Sequence, residues 1–163
     1  MIDPNGLDLE TLLSLKADGE SVTALESAAV LDREAVLSAD CDILIPAARP
    51  DAIHVGNVGN VTAKVVLQGA NIPATAEAEE ELHRRDVVVI PDFIANAGGV
   101  ICASVEYRNG SEADAMAAIG ERIAGNTRAT LIEARNTGLT ARMAANAIAE
   151  RRLRTATSLR RQF

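Results

Sequence analysis

The stretch from Val87 to Tyr107, VVVIPDFIANAGGVICASVEY, constrains this chain more than any other. An apolar, β-branched run stops at Pro91-Asp92, Asn96 follows, then the adjacent Gly98 and Gly99, then a helix-like apolar pattern. That is the order of a buried strand, a tight turn and a helix start. Residues without side chains at such a turn let another molecule approach the backbone. Two earlier runs end in the same manner. Asp42-Ile43-Leu44-Ile45 leads to Pro46-Ala47-Ala48, and Lys64-Val65-Val66-Leu67-Gln68 leads to Gly69-Ala70-Asn71. The first is short, continuous and apolar, which predicts a strand buried on both faces. Between the second and third runs, Pro73 and Thr75 open a single helix carrying Ala76, Glu79, Glu80, Leu82 and Arg84. The unit reads strand, helix, strand, so the strands are expected to be parallel with a right-handed connection.

The remaining segments are helical. Asp8 can cap a short helix with Leu9, Leu12, Leu13 and Leu15, stopped by Gly19, and Asp32 opens a second around Ala35, Val36 and Leu37. A weak strand pattern occurs at Ser21-Val22-Thr23, and Arg49 to Val61 reads as loops with at most one helical turn. From Ser111 to Asn136, Met116, Ile119, Ile123 and Leu131 form one amphipathic face, with Gly138 as a stop. A last helix, Thr140 to Ser158, carries Met143, Ala144, Ala147 and Ile148, and its end is basic through Arg151, Arg152, Arg154, Arg160 and Arg161. A basic helix end suits the macrodipole, and it serves as a solvated or docking face more readily than as an anion site. The expected fold is therefore α/β, a three-layer arrangement of at least three parallel strands with helices on both faces and additional C-terminal helices. The chain is read as one domain, with the sheet in 1–110 and the helices in 111–163.

Composition narrows the function. With aromatics at 2% and hydrophobic residues at 48%, the core must be packed from Val, Ile, Leu and Ala. A net charge of -7 argues against nucleic acid as a partner, and no apolar run approaches the ~20 residues of a membrane span. The opening MIDPNGLDLE is acidic and polar, unlike a secretory leader. Cys41 and Cys102 make no disulfide framework and, with His54 and His83, show no metal-ligand spacing, so a cytoplasmic protein without a metal is expected. In an open parallel sheet, ligands lie beyond the carboxyl ends of the strands. The three strand ends offer small side chains, free backbone groups and the amides of Asn71 and Asn96, each able to donate and accept at once. Such a set suits a ligand with hydroxyls and an amide, for instance a nicotinamide riboside. The same residues also serve as ordinary turn formers.

The strings CDILIPAA, GAN-x-P-A-T and PDFIANAGGV, in that order, resemble the nucleotide-binding domain of the glutamate/leucine/phenylalanine/valine dehydrogenases. Thr140-Ala141-Arg142-Met143-Ala144-Ala145 is similar to the C-terminal helix of that family, so the likeness runs from about Asp3 to about Ala156. The resemblance implies a partial Rossmann-like sheet and oxidative deamination of an L-amino acid with NAD or NADP. It implies that Ala47 and Ala48 pass close to the nicotinamide ribose, that Asn71 bonds this ribose, that Asn96 holds the carboxamide, and that Gly98 and Gly99 allow a close helix start. Glutamate-specific members use a serine after the double glycine for the substrate carboxylate. The ungapped position here is Ala103, with Ser104 next, so glutamate specificity does not carry over directly. Gln68 stands where many members have an acidic residue, a change expected to be neutral.

The 163 residues contain no G-x-G-x-x-G turn to hold a pyrophosphate, and Gly56-Asn57-Val58-Gly59-Asn60 has the wrong spacing for one. By resemblance, Met1 falls just after the second strand of the cofactor domain, and the substrate domain with its catalytic lysine and aspartate is not represented. Lys16 and Lys64 are the only lysines and neither has that context. The expectation is thus part of an amino-acid dehydrogenase, inactive as an isolated chain and with no catalytic residue of its own. A non-catalytic binding or regulatory remnant is the alternative. An unrelated doubly wound enzyme such as a methyltransferase would need a glycine-rich loop that is not found. A sheet edge left bare invites self-association, so a homo-oligomer is expected.

Overall fold

A computed structural model describes residues 1–159, which fall into two compact units, Met1–Ala39 and a second beginning at Asp40. Arg160 and Arg161 of the expected basic end lie outside the described residues. In the first unit, helix α1 (Leu9–Ala17) starts at Asp8, whose carboxylate accepts from the Thr11 N–H. Ile2 and Ala29 pair as an antiparallel bridge. The expected strand at Ser21-Val22-Thr23 is instead a one-turn 3-10 helix over Val22–Ala24. The Ser21 hydroxyl accepts from the Thr23 N–H, and that local bond diverts the backbone from extended geometry. Arg33–Ser38 also forms a 3-10 helix, without a side-chain cap from Asp32.

The second unit is built on three parallel strands, β1 (Ile43–Leu44), β2 (Val65–Leu67) and β3 (Val88–Ile90), in the order β1-β2-β3. Ile43 pairs with Val65, and Val65 with Val88. Helix α2 (Ala76–Arg84) connects β2 to β3, and the Thr75 hydroxyl caps it by accepting from the Ala78 N–H. Ala78 and Leu82 of α2 are fully buried. Just beyond α2, Arg85 donates to the carbonyls of Val58 and Val61 at 2.7 and 2.6 Å, tying the helix end to the preceding 3-10 turn. The first strand is not buried on both faces. Ile43 and Ile45 are 57% and 55% exposed while Leu44 between them is buried, so one face of this strand is packed and the other is open among the described residues.

After β3 come a short turn of helix α3 (Asp92–Ala95), then α4 (Gly98–Glu106), α5 (Glu112–Thr137) and α6 (Ala141–Ser158). Ser111 and Asp114 form a complete capping box at the start of α5, and Thr140 caps α6. Helices α4 and α6 pack on α5, and α6 also reaches β3. Ala141, Ala144 and Ala145 are buried, so small side chains allow the last helix to lie close. One apolar cluster joins sheet to helices: Ile90, Ile94 and Ala145, with Leu67, Ala95 and Leu131 against it. Of the predicted apolar face of α5, Ile119, Ile123 and Leu131 are half-buried, but Met116 is 63% exposed. Ala115, beside it, is the buried residue of that turn, and a spacing rule alone does not resolve a one-residue shift within a single turn.

Helix α5 ends at Gly138, whose φ of 71° is left-handed and whose N–H bonds the Ala134 carbonyl. Gly138→Ala is expected to lower stability by about 1 kcal/mol, since a Cβ is strained in that region. Urea unfolding of both proteins would show a lower midpoint at an unchanged slope.

Candidate functional site

The strand ends are drawn together by their own backbone. The Ala70 N–H donates to the Pro46 carbonyl at 3.0 Å, joining the turn after β2 to the turn after β1. A Cβ on Gly69 would lie 2.9 Å from the Ala47 Cβ, so this contact requires glycine. Ala47 and Ala48 are exposed beside it. From the third strand end, the Asn96 amide donates through Nδ2 to Asn71 Oδ1 at 2.8 Å. That bond leaves the Asn71 amide N–H groups and the Asn96 carbonyl oxygen outside the pair, a donor beside an acceptor. Gly98 begins α4. A Cβ there would meet Ile119 only at ordinary contact distance, and one on Gly99 would meet nothing within 4 Å. Past the first turn of α4, Ala103 lies on the exposed face shared by Gly99 and Val100, while Ser104 is half-buried. Among the described residues no hydrogen bond links Ala103 or Ser104 to the amide pair.

Beneath this shelf is a polar network. The Arg142 guanidinium, from the first turn of α6, donates to both oxygens of Glu79 (2.8–3.1 Å), to Gln68 Oε1 (3.0 Å) and to Asp92 Oδ1 (2.8 Å). Gln68 is 0% exposed and donates through Nε2 to Glu79 Oε1 at 2.7 Å, while its Oε1 also accepts from the Asp92 N–H at 3.1 Å. Asp92 Oδ2 accepts from the Ile72 N–H at 2.9 Å. The Phe93 ring lies under the guanidinium, 5.3 Å from its carbon to the ring centre.

One cation thus faces two buried carboxylates, and neutral donors offset the excess charge: the Gln68 amide for Glu79, the Ile72 N–H for Asp92. Burial alone pushes the Asp92 carboxyl up, but the Ile72 N–H and the Arg142 guanidinium outweigh it and hold the group below its ordinary value. Hydrogen bonding to Glu79 raises the Arg142 guanidinium further. In this fold Gln68 is not interchangeable with an ionised carboxylate. Its amide must donate to one partner while accepting from two others, which a carboxylate cannot do.

Gln68, Glu79, Asp92 and Arg142 were legible only as a strand end, a helix residue, a turn residue and part of a motif. The available signal was an acidic residue, Glu79, sitting beside Ala78 and three positions before Leu82, inside the buried stripe of α2.

Comparison with known proteins follows the same lines. A family model described as Glutamate/Leucine/Phenylalanine/Valine dehydrogenase matches residues 1–161. Glutamate dehydrogenase from Thermotoga maritima is 43% identical over 105 residues, covering 64% of this chain and 25% of that protein. NADP-specific glutamate dehydrogenase from Saccharolobus shibatae is 41% identical over 109 residues, covering 67% of this chain and 26% of that protein. The crystal structure of a hetero-hexameric glutamate dehydrogenase from Thermus thermophilus superposes with a TM-score of 0.79 at 30% identity, over 100% of this chain and 40% of that one. The chain therefore spans about a quarter of the length of the curated relatives it matches.

Two outcomes test the network. Gln68→Glu places a third carboxylate against Glu79 and is expected to destabilise the fold by about 2 kcal/mol at neutral pH. A carboxyl with its folded pKa raised is favoured below its unfolded value of about 4.3, so the deficit should shrink as pH falls toward that value. Denaturant unfolding across pH 4–8 reads both. Asp92 has the opposite sign. Its depressed pKa stabilises the fold above about pH 4 and that contribution is lost as pH falls through the lower folded value, so Asp92→Asn should flatten the acid limb of the stability curve.

Proposed function

Because the chain belongs to the glutamate/leucine/phenylalanine/valine dehydrogenase family, we propose that it supplies the nicotinamide-side contacts of an NAD- or NADP-dependent L-amino-acid dehydrogenase. The observation that carries this reading is the hydrogen-bonded pair of Asn71 and Asn96 beside a shelf of small residues at the strand ends. The donor and acceptor left over suit a nicotinamide riboside. Asn71 donates to a ribose hydroxyl and the Asn96 carbonyl accepts from the carboxamide, with Ala47 and Ala48 alongside the sugar. Gly98 and Gly99 fit a flat ring for a physical reason: the chain's own packing does not demand their missing side chains, so the room at the start of α4 is available to a ligand. Bound there, NAD or NADP would supply a hydride acceptor for the substrate α-carbon, the chemistry that oxidative deamination of an L-amino acid requires. The part of this chain in that step is to hold and orient the ring, since positioned reactants account for much of such catalysis.

On the substrate side, Ala103 cannot bond a side-chain carboxylate, whereas the Ser104 hydroxyl can, so these two positions bear on which amino acid is taken. With no G-x-G-x-x-G turn in the 163 residues, and with Lys64 paired to Asp42 at 2.7 Å, the chain alone is not expected to turn over substrate. The exposed Ile43 on β1 and Ile45 just after it, and Val100 on α4 and Tyr107 at its end, support association with further polypeptide, in the manner of the multi-subunit Thermus enzyme. No helix among the described residues is long and apolar enough to cross a membrane, in keeping with a cytoplasmic enzyme.

The product of the full natural gene, assayed on a panel of L-amino acids with NAD and NADP, is expected to turn over at least one pair. Turnover with none would end the proposal in favour of a non-catalytic binding module. In the active enzyme, Asn96→Ala should raise KM for the cofactor about tenfold, the value of one well-placed hydrogen bond. For the isolated chain, calorimetry should find only weak NAD binding, and a micromolar Kd would contradict the role given to the phosphate turn.

A further inference from the structure

We infer that Asp92 is a positioning residue that sets the Asn71 amide against the Asn96 amide by holding the strained backbone of Ile72, with Arg142 as its brace. What the amide pair binds rests on the function proposed above; how the pair is held does not.

Ile72 has a φ of 49°. This left-handed conformation is disfavoured for any residue with a Cβ and most of all for a β-branched one, and Ile72 also precedes Pro73, which restricts it further. Its side chain is exposed, so buried packing of that side chain does not explain the conformation. Two hydrogen bonds hold the backbone instead. The Ile72 N–H donates to Asp92 Oδ2 at 2.9 Å, and the Ile72 carbonyl accepts from the Asp51 N–H at 2.9 Å. The first of these belongs to the peptide group that directly follows Asn71, so fixing it fixes the direction in which Asn71 leaves the turn. Asp92 reaches the other amide through its backbone. Its carbonyl accepts from the Asn96 N–H at 2.8 Å, closing the single turn of α3. One residue thereby holds the chain beside both members of the pair.

The carboxylate can do this only if its own orientation is set. Asp92 Oδ1 is taken by the Arg142 guanidinium and the Asp92 N–H by Gln68, and Arg142 is in turn locked by the two oxygens of Glu79. Both groups facing the Asp92 carboxylate, the Ile72 N–H and the guanidinium, are donors. An asparagine amide in its place offers one acceptor and one donor; the charged guanidinium takes the acceptor, the amide N–H groups turn toward the Ile72 N–H, and the hold on Ile72 is lost.

Nuclear magnetic resonance of the isotope-labelled full chain tests this without any ligand. The wild type should show a cross-relaxation contact between the Asn71 and Asn96 side-chain amides and slow exchange of the Asn96 amide protons. Asp92→Asn should remove the contact and speed that exchange at least tenfold. The double variant D92N/I72G should restore both, because glycine adopts the left-handed conformation without being held. A purely structural loss at Asp92 would not be repaired by a change at Ile72. Persistence of the contact in D92N, or failure of I72G to rescue it, overturns the proposal. Should D92N not fold, Ile72→Gly alone decides: it should keep the contact and raise Tm, and a Tm at or below that of the parent counts against held strain. Titration of the wild type with nicotinamide mononucleotide is a separate arm. No shift of the Asn96 amide there counts against the proposed function and leaves the outcome at Asp92 to the other spectra.

Discussion

A single guanidinium holds the second unit in register. Arg142 reaches back 63 positions to Glu79, 74 to Gln68 and 50 to Asp92, so the last helix, the crossover helix and two strand ends meet at one group. Charged side chains are rarely buried unless paired, and breaking such a pair by removing one member leaves an uncompensated charge. The arrangement therefore acts less as a source of net stability than as a constraint on which geometry is allowed.

The shelf above the network depends on that constraint. Asp92 faces down to Arg142 with one oxygen and up to the Ile72 N–H with the other. The polar layer and the exposed amide pair are thus two sides of one residue. Small side chains do the rest. Gly69 admits the Ala47 methyl, and the buried alanines of α6 let the helix approach the sheet closely enough for Arg142 to reach it. A nearly aromatic-free composition and a compact polar core belong to the same solution, since small aliphatic residues leave the elements close together.

Much of the architecture could be read along the chain. The β-branched runs, the crossover helix opened at Thr75, and the caps at Ser111, Gly138 and Thr140 all carry local signals, and each is where those signals put it. The three similar strand ends placed Asn71 and Asn96 on one edge as separate ligand contacts, whereas their hydrogen bond to each other carries no signal in the sequence. The departures have local causes as well. A side-chain bond turned Ser21-Val22-Thr23 into a helical turn, and an open face of the first strand left Ile43 and Ile45 exposed. In the first turn of α5 the buried residue is Ala115 rather than Met116, while Ile119, Ile123 and Leu131 keep the expected face.

What the sequence determined by itself is therefore the set of elements, the parallel order of the last two strands and the small-residue character of their ends, because periodicity, capping and turn chemistry act over a few residues. What only the tertiary structure decided is the partnership of Gln68, Glu79, Asp92 and Arg142 and the held conformation of Ile72. Hydrogen bonds between groups 11 to 74 positions apart leave no mark on local pattern. They exist only once packing has removed the water that would otherwise satisfy each of those groups separately.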